Sequence, residues 1–545
     1  MKIVFVAHEF GFYKGHGGIA AYLYNIVKYI LDNYDNYKVY VLTYRYDTNC
    51  DLLQNEKLNI IKIRNEIETI KNLEDINPNY VEVADYDAMC LKAMIKKHIG
   101  EKFTQTVFAV HHHTALRECY IWNSKLPIEY AAPYTKTQFE RERTQIILSD
   151  IQIAPSHFMA NYVKQNYYIN QEIKVYNHYI YNNYKTKEEL QNELKDIYDI
   201  RNYKDSFNAV LISRIEGRKN QKYLIEEFIK FKEENNIENA NLFLVGNSNI
   251  DEITGEEMIY QLYKDIEEKY LNYIHFYDFA DLKTKNLFLS IADITVLPSF
   301  YENFPIAIEE TVLIGIPVIA SKNSGICDYI DKSYQFNPFK KGELAKTLYI
   351  FYKMKPEERK HILDIQKNTL LEVTNPKKTI ESRLELFKNH KNKYIEKNFN
   401  YRIIETKDFR NKNISPFEKN DCLVFAPNKT NKENVIEFIS DFKYNENIID
   451  KIIILNSEYI ALDSIKDIAS RQLPIIIPEA YKIKNTKDIV FSILEFIYLN
   501  FHLLVQIKIE DMKIEYNDRT ELYKKYIEVE TRFENNNILE TLYNE

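Results

Sequence analysis

Two runs of short apolar strands that alternate with helical segments most constrain the fold of this chain. The first run opens with the strand KIVFVAHEF, a loop that holds four of the eleven glycines, and the helix IAAYLYNIVKYILDNY, whose apolar residues recur about every 3.6 positions. The alternation restarts near residue 205, with FNAVLISRI and ANLFLVG as strands. Strands that alternate with helices are typical of parallel, doubly wound sheets. We therefore predict an α/β fold with two facing Rossmann-like domains, at residues 1–188 and 205–375.

The rest of the chain is expected to form a linker at residues 376–399 and an additional, smaller α/β domain at residues 400–545. The segments CLVFAPN, KENVIEFISDF and KIIILN alternate again, which predicts further strands and helices there. This third region contains no glycine, and Gly342 is the last one in the chain. A glycine loop that could cradle a phosphate is therefore missing from it. We expect a structural, acceptor-binding or partner-binding role for the region.

Composition excludes several classes of protein. The formal net charge of −8 gives no sign of the concentrated basic surface that nucleic acid requires. No apolar run approaches the ~20 residues of a membrane span, and the short apolar run at the start does not suit a signal peptide. The five cysteines form no CxxC pair, which fits a reducing compartment. A cytoplasmic location is expected, and peripheral contact with a membrane stays open.

The segment ADITVLPSFYENFPIAIEETVLIGIPVIAS predicts a ligand site at the end of a strand. Its strand should end before a loop that carries Glu302. Pro305 suits the first turn of a helix because it lacks the N–H that would have no partner there, and Glu310 falls inside that helix. Doubly wound sheets bind ligands beyond the carboxyl ends of their strands, where helix N-termini favour phosphate. Two carboxylates placed in this way could hold both the ribose and the hexose of a nucleotide sugar.

This segment resembles the E-x7-E signature of retaining GT-B glycosyltransferases, especially glycosyltransferase family 4 (glycosyl transferases group 1), with Glu302 and Glu310 as its two glutamates. The segment SRIEGRKNQKYLIEEF is similar to the family's G-R-x-x-x-x-K-G motif, with Arg214 and Lys219 five residues apart. FLVGNS and SDIQIAPSHFMANYV resemble two further family segments. The resemblance covers about residues 1–395 and implies a GT-B fold, in which a helix within residues 376–399 crosses back to the first domain.

The resemblance also implies a role for each matching residue. Glu310 would hold the ribose hydroxyls. Glu302 would hold hydroxyls of the transferred sugar, helped by the backbone of Asn303 and Phe304. Neither glutamate is expected to act as a covalent nucleophile, so stabilisation of the transition state would be mostly electrostatic.

Two cations would neutralise the diphosphate. The resemblance gives this role to Arg214 and Lys219, which would also offset charge on the leaving group. With these cations and a helix dipole in place, neither a metal ion nor another cofactor is expected. Arg218, which neighbours Lys219, we interpret as a surface charge.

Further donor contacts are implied at four positions. Gly17 and Gly18 would let the first loop approach the diphosphate, and Gly246 ends the strand of FLVGNS. Phe279 stands where the family contacts the base.

The triplet His111-His112-His113 follows the strand TVFAV, where the family places a histidine that faces the donor sugar. Strand length favours His111 for that role, whereas the threonine after the triplet favours His113. Consecutive residues of a strand point to opposite faces, so the three histidines cannot all converge on a metal ion. The alternative to a donor-facing histidine is a buried structural one.

The sequence departs from the family pattern at several positions. Where the family has Asn-Gly-x-Asp, this chain has Asn177-His178-Tyr179-Ile180. Two family glycines are replaced by Asn220 and Asp278, and a family glutamate is replaced by Asp328. These departures leave the base and the sugar open. Asp85-Tyr86-Asp87 matches the D-x-D metal motif of another glycosyltransferase fold, but it does not follow the strand pattern that this motif requires. Asp85 is a weak candidate for contact with the acceptor.

The expected function is transfer of a hexose-type sugar from a nucleotide diphosphate donor, taken to be a UDP-sugar, with retention of configuration. The acceptor would be a glycan, a lipid-linked glycan or a protein. One alternative is a sugar-phosphate synthase or phosphorylase on the same fold, although Lys14 is the only cation near the first loop to hold an acceptor phosphate. Another is a non-catalytic GT-B subunit of a glycosylation complex. Self-association or a partner subunit could use residues 400–545.

Overall fold

The structure is a computed structural model of the protein. It describes residues 1–11, 17–98, 102–126, 131, 133–167, 169, 171–180, 184–194, 203, 205–250, 255–277, 282–390, 400–405, 421–425, 434–444, 447–456 and 475–476. The chain divides into two compact units. The first comprises Met1–Cys90, Gln105–Leu126 and Gln145–Lys393, and the second Leu91–Thr104, Pro127–Thr144 and Tyr394–Glu545.

The first half of the chain builds a seven-stranded sheet in which every neighbouring pair of strands is parallel. The strand order is β3-β2-β1-β4-β5-β6-β7. In chain order the strands are β1 (Lys2–Phe10), β2 (Lys38–Tyr46), β3 (Leu58–Lys62), β4 (Tyr80–Ala84), β5 (Val107–His111), β6 (Ile151–Ala154) and β7 (Ile173–Val175). The helices of this half are α1 (Gly18–Asn33), α2 (Glu66–Ile76), α3 (Leu91–His98), α4 (Leu116–Ser124), α5 (Pro133–Leu148) and α6 (His157–Asn166).

The second half repeats the plan with a six-stranded parallel sheet in the order β10-β9-β8-β11-β12-β13. Its strands are β8 (Phe207–Ile212), β9 (Ala240–Val245), β10 (Ile274–Tyr277), β11 (Ile294–Leu297), β12 (Val318–Ser321) and β13 (Gln335–Phe336). Its helices are α7 (Lys187–Leu194), α8 (Gln221–Glu234), α9 (Met258–Lys264), α10 (Leu282–Ile291), α11 (Ile306–Ile314), α12 (Glu343–Lys353) and α13 (Pro356–Val373). The prediction of an α/β fold with two parallel sheets is confirmed.

Continuous apolar strands explain why both sheets are buried on their two faces. Every residue of β5, β8, β9 and β11 is buried, as parallel strands covered by helices require. Helix α11 follows β11 and begins directly after Pro305, and Gly315 ends it at φ +114°. The helix start and stop read from the sequence are therefore confirmed, and they place Glu302 in the loop and Glu310 in the helix.

The helix after residue 376 packs against the first sheet and its helices. A π-helical turn at Lys377–Glu381 leads into α14 (Ser382–Asn389). The Tyr29 hydroxyl donates to the Glu381 carboxylate at 2.9 Å, and the Phe387 ring stacks on Tyr80 with centroids 5.0 Å apart.

The described strands of the C-terminal region form a five-stranded sheet in the order β14-β16-β17-β15-β18. They are β14 (Asn400–Glu405), β15 (Asp421–Phe425), β16 (Asn434–Tyr444), β17 (Asn447–Asn456) and β18 (Ile475–Ile476). Strand β16 begins within the segment KENVIEFISDF, in the region where the sequence predicts alternating strands and helices, and it pairs antiparallel with both β14 and β17. Its β-branched and aromatic residues suit a strand despite their helix-like spacing. Of the helices in the described part of the chain, none combines the length and the apolar character that a membrane span requires.

Candidate active site

Several of the predicted site residues lie at or just beyond the carboxyl ends of parallel strands. Arg214 follows β8, Gly246 follows β9, Glu302 follows β11, and His111 ends β5. This edge of a doubly wound sheet is where its ligands bind. Phe279 lies outside the described residues, as do Asp278 and Lys14.

Glu302 lies at the centre of a buried cluster of charges. It is 5% exposed, and its Oε2 accepts a short hydrogen bond from the Lys219 Nζ. The Arg218 Nη1 donates to the same oxygen at 3.3 Å, and the Arg218 Nη2 lies 2.8 Å from Glu216 Oε1. Two cations and two carboxylates therefore alternate in space, so that each buried charge has a partner of opposite sign.

The protonation states follow from this pairing. Burial disfavours ionisation of Glu302, but Lys219 and Arg218 outweigh it and hold the pKa of the carboxyl below its ordinary value. The pKa of Glu216 is lowered against its burial in the same way, chiefly by Arg218. Burial, and then Arg218, lower the pKa of Lys219, so its charge depends on Glu302. Ionised Glu302 therefore favours the charged form of Lys219, whereas Arg218 is a cation in either case.

The interpretation of Arg218 as a surface charge is wrong. A 3₁₀ turn at Gly217–Lys219 directs Arg218 inward, where only 7% of it is exposed. A Cβ on Gly217 would lie 2.0 Å from the Asn123 carbonyl oxygen, and the Asn123 side chain accepts from the Arg218 N–H at 3.1 Å. The turn is thus held against the end of α4 in the first domain. The Arg214 side chain, in contrast, is 55% exposed and lies 3.8 Å from Glu216.

Asn303 and Phe304 connect the loop after β11 to the first domain. The Asn303 side chain donates to the His113 carbonyl, and the Ser156 hydroxyl donates to the Asn303 carbonyl at 3.0 Å. The Phe304 N–H donates to the Asn303 Oδ1 at 2.6 Å, and the Phe304 carbonyl lies 3.1 Å from the His178 Nδ1. Several backbone groups expected to serve the donor therefore have partners within the protein.

Glu310 lies one turn into α11 and bridges two elements. Its Oε1 accepts from the Tyr184 hydroxyl, and its Oε2 accepts from the Lys285 Nζ, both at 2.8 Å. The neighbouring Glu309 differs, because neither of its buried carboxylate oxygens has a hydrogen-bond partner. Burial, with a smaller effect of Glu310, raises the pKa of Glu309 well above the ordinary value, so this side chain is a neutral acid. Of the two, only Glu310 has hydrogen-bond partners on both carboxylate oxygens.

The predicted glycines are placed differently from one another. Gly17 precedes α1, and its N–H donates to the Glu9 Oε1 at 2.7 Å, so a carboxylate occupies this helix N-terminus. A Cβ on Gly18 would meet nothing within 4 Å, whereas one on Gly246 would lie 1.9 Å from the Ser213 carbonyl oxygen. Gly246 is therefore required for close packing of β9 against β8.

His111 and His113 point the same way, and a third histidine joins them. The rings of His111 and His113 lie 4.3 Å apart, and each is 5.6 Å from the ring of His178. His112 points to the other face, where its Nε2 lies 2.8 Å from the Gln152 Oε1. The sequence did not single out His178 as a site residue, because it follows β7 and stands where the resembled family has glycine.

A buried network lies behind His111. The Tyr22 hydroxyl donates to the Glu82 Oε1 at 2.5 Å and contacts His111 Nδ1 on its other side. Arg383 of α14 donates to Tyr22 and to Glu82, the latter at 3.3 Å. The crossing helix thus contributes a buried charge directly beneath the predicted donor-facing histidine.

Asp85, the weak candidate for acceptor contact, is a structural residue. It is 1% exposed, and its Oδ1 accepts from the backbone N–H groups of His113 and Thr114, at 3.0 Å and 3.2 Å. It fixes the chain after β5, and it is not available to an acceptor.

A separate cavity of about 530 Å³ lies beside β7 and α6. Lys164, Lys174 and Lys378 contribute to its wall, together with Asn177 and Tyr329. None of the predicted site residues lines it.

Comparisons with known proteins agree with the fold. Residues 193–367 match the family described as glycosyl transferases group 1. The structure is similar to a sucrose-phosphate synthase from Thermosynechococcus elongatus, with 13% identity, a TM-score of 0.54, and coverage of 71% of this chain and 98% of that one. It is also similar to the Anabaena protein HepE in complex with UDP and glucose, with 15% identity, a TM-score of 0.53, and coverage of 72% and 100%. A third is WaaG, a glycosyltransferase involved in lipopolysaccharide biosynthesis, with 14% identity, a TM-score of 0.51, and coverage of 71% and 100%. No curated protein matches the sequence. The fold is that of the GT-B glycosyltransferases.

Proposed function

We propose that the protein is a glycosyltransferase that moves a hexose-type sugar from a UDP-sugar to a glycan, lipid-linked glycan or protein acceptor, with retention of configuration. The cluster of Glu302, Lys219 and Arg218 carries the proposal. It places two buried cations and a carboxylate at the carboxyl edge of the second sheet, within the segment that matches group 1 glycosyltransferases. The bound UDP and glucose of the similar HepE structure support the choice of donor.

The charges suit departure of a diphosphate without a metal ion. When the bond between sugar and diphosphate breaks, negative charge develops on the leaving oxygen, and fixed cations in a dry site stabilise it. Lys219 and Arg218 are held in place by Glu302 and Glu216 and therefore need little reorganisation. Arg214, which is half exposed, extends the positive edge toward solvent. Glu302 itself would accept hydrogen bonds from sugar hydroxyls through Oε1.

The second carboxylate would hold the ribose. Glu310 is fixed by Tyr184 and Lys285, which orient its oxygens without removing their capacity to accept more than one bond. Backbone N–H groups at the start of α11 would add positive potential beside it. His111 and His113 would form the wall that the first domain presents to the sugar.

Release of UDP from a panel of UDP-sugars tests the proposal, with and without candidate acceptors. Lys219→Met should lower the rate of UDP release by about 100-fold or more, since removal of one charge-stabilising group typically costs that much. Glu310→Gln should weaken binding of the UDP-sugar and so lower UDP release at limiting donor, because the ribose loses a charged hydrogen-bond acceptor. Lys222→Met is the matched control, because Lys222 pairs with Asp265 at the surface. Normal UDP release by either active-site variant would contradict the assignment of the site.

Two further results separate the alternatives. A sugar-phosphate synthase, which the similarity to sucrose-phosphate synthase favours, would release UDP only with a sugar phosphate as acceptor. A non-catalytic subunit would be stabilised by UDP-sugars in a thermal-shift assay yet release no UDP with any acceptor.

A further inference from the structure

We propose that His111, His113 and His178 form a binding site for a zinc-like divalent metal ion. The three side chains are buried, and one potential ligand atom from each lies within 4.8 Å of the others. This metal site is separate from the proposed sugar transfer, in which Lys219 and Arg218 stabilise the charge on the leaving diphosphate. Imidazole is a preferred ligand of Zn²⁺, and three imidazoles leave a fourth position for water or another ligand.

The first argument is the tautomer of His111. Its Nδ1 faces the Tyr22 oxygen, and the single hydrogen of that hydroxyl is directed to the Glu82 Oε1, 2.5 Å away. His111 must therefore carry its hydrogen on Nδ1 and donate it to Tyr22. Its Nε2 then bears a lone pair, is buried, and has no hydrogen-bond partner.

His178 leads to the same conclusion independently. Its Nδ1 lies 3.1 Å from the carbonyl oxygen of Phe304, which can only accept a hydrogen bond. The hydrogen is therefore on Nδ1, and the buried Nε2 again bears a lone pair without a hydrogen-bond partner. Histidines that bind metals almost always donate their other N–H to a carboxylate, a backbone carbonyl or a water molecule. The carbonyl bonded to His178, and the carboxylate reached through Tyr22 from His111, match this pattern.

The protonation states and the surrounding charges also suit a cation. All three rings are buried, and burial favours the neutral imidazole that metal binding requires. Arg383 is a nearby cation that would repel a metal ion, but it pairs with Glu82 at 3.3 Å. Glu302 adds a further negative charge near His178. Two buried lone pairs without a donor are costly, and a metal ion would satisfy both at once.

A bound ion would join parts of the chain that the sequence separates. His111 ends β5 and His113 follows it, whereas His178 lies beyond β7 and contacts the loop after β11 through Phe304. The metal would therefore fix the segment that leads from the first sheet into the second. This role does not depend on whether the protein transfers a sugar.

Metal content of the full chain tests the proposal. The purified protein is stripped with a chelator, incubated with ZnCl₂, passed over a desalting column and measured by mass spectrometry. The wild type should retain about one zinc ion per chain. His111→Asn and His178→Asn keep a short side-chain donor for Tyr22 or Phe304 but remove the ligand nitrogen. Each should weaken zinc binding at least about tenfold, since even the loss of an outer partner costs that much.

His275→Asn is the matched control, because its Nε2 is likewise buried without a hydrogen-bond partner but lies in β10, outside the cluster. It should retain zinc as the wild type does. The proposal is overturned if the stripped wild type takes up no zinc, or if both cluster variants bind it as tightly as the wild type.

A second measurement uses the wild type alone and therefore tests the proposal even if the variants fail to fold. Co²⁺ bound to the wild type should show the intense visible bands of a four-coordinate nitrogen site, and a weak six-coordinate spectrum would also overturn it.

Discussion

Replacement of Lys219 by methionine should destabilise the protein through the charge that it leaves behind. In the variant the Glu302 carboxylate stays buried and loses its nearest cation, while Arg218 remains 3.3 Å away. Removing one partner of a buried ion pair typically costs about 3–5 kcal/mol. Because Arg218 still neutralises part of the charge, we expect a loss at or below the lower end of this range, about 2–3 kcal/mol in the free energy of unfolding.

The single tryptophan is a natural reporter for this change. Trp122 stacks on Phe300 and Tyr301, with ring centroids 6.4 Å and 6.1 Å apart, and these two residues immediately precede Glu302. Its fluorescence during urea denaturation therefore follows the loop that carries the carboxylate. With a urea slope of about 3 kcal/mol per molar, the expected loss moves the midpoint down by about 0.7–1 M.

Two further variants make the result decisive. Lys222→Met removes an exposed cation whose pair with Asp265, at 2.7 Å, is more than half exposed on both sides, so the change should stay within about 0.5 kcal/mol. The double variant Lys219→Met/Glu302→Gln removes the stranded charge and should recover at least about 1 kcal/mol relative to Lys219→Met. The reasoning is refuted if Lys219→Met and Lys222→Met unfold at the same midpoint, or if neutralising Glu302 gives no recovery.

Two other predictions rest on single groups. Burial, with Glu310 adding to it, holds the pKa of Glu309 well above its ordinary value, so the folded chain keeps a proton that the unfolded chain releases. The free energy of unfolding should therefore fall as the pH rises above the ordinary glutamate pKa, by up to about 3 kcal/mol at pH 7. Glu309→Gln should remove this dependence, and unchanged urea midpoints between about pH 5 and pH 7 in the wild type would contradict it. Asn220 adopts the left-handed conformation, with φ +57°, at the start of α8. Glycine adopts this conformation more easily than alanine, so Asn220→Gly should be about 1 kcal/mol more stable than Asn220→Ala in thermal or urea unfolding. Equal stability of the two variants would show that the backbone conformation does not matter.

The sequence predicted the backbone frame of the site because that frame depends on local signals. Apolar runs located β8, β9 and β11, and Pro305 and Gly315 set the bounds of α11. Strand β4 was missed because its sequence YVEVA contains a glutamate where a parallel strand is normally apolar. Glu82 is nevertheless buried, because Arg383, 301 residues away, supplies its counter-charge. No local pattern contains that information.

Side-chain partners were harder to predict than positions, since they depend on the direction in which a short turn projects each residue. The spacing of Arg214 and Lys219 selected two cations of equal rank, yet the structure exposes the first and buries the second against Glu302. Arg218 was set aside as a surface charge, although the 3₁₀ turn that brings in Lys219 brings it in as well. That turn is packed against the first domain through Gly217, a contact for which sequence spacing offers no signal.

The histidines show how such a contact changes the chemistry that a motif can support. Alternation along the strand correctly excluded His112 from the face shared by His111 and His113, so the triplet alone could supply only two convergent imidazoles. The third comes from His178, at a position where the resembled family has glycine, and it is oriented by the carbonyl of Phe304 in the loop after β11. A departure from the family pattern that seemed to affect only donor specificity thus completes a set of three buried imidazoles. Such a set can be found only when the ends of β5 and β7, which are separated by β6 in the first sheet, are considered together.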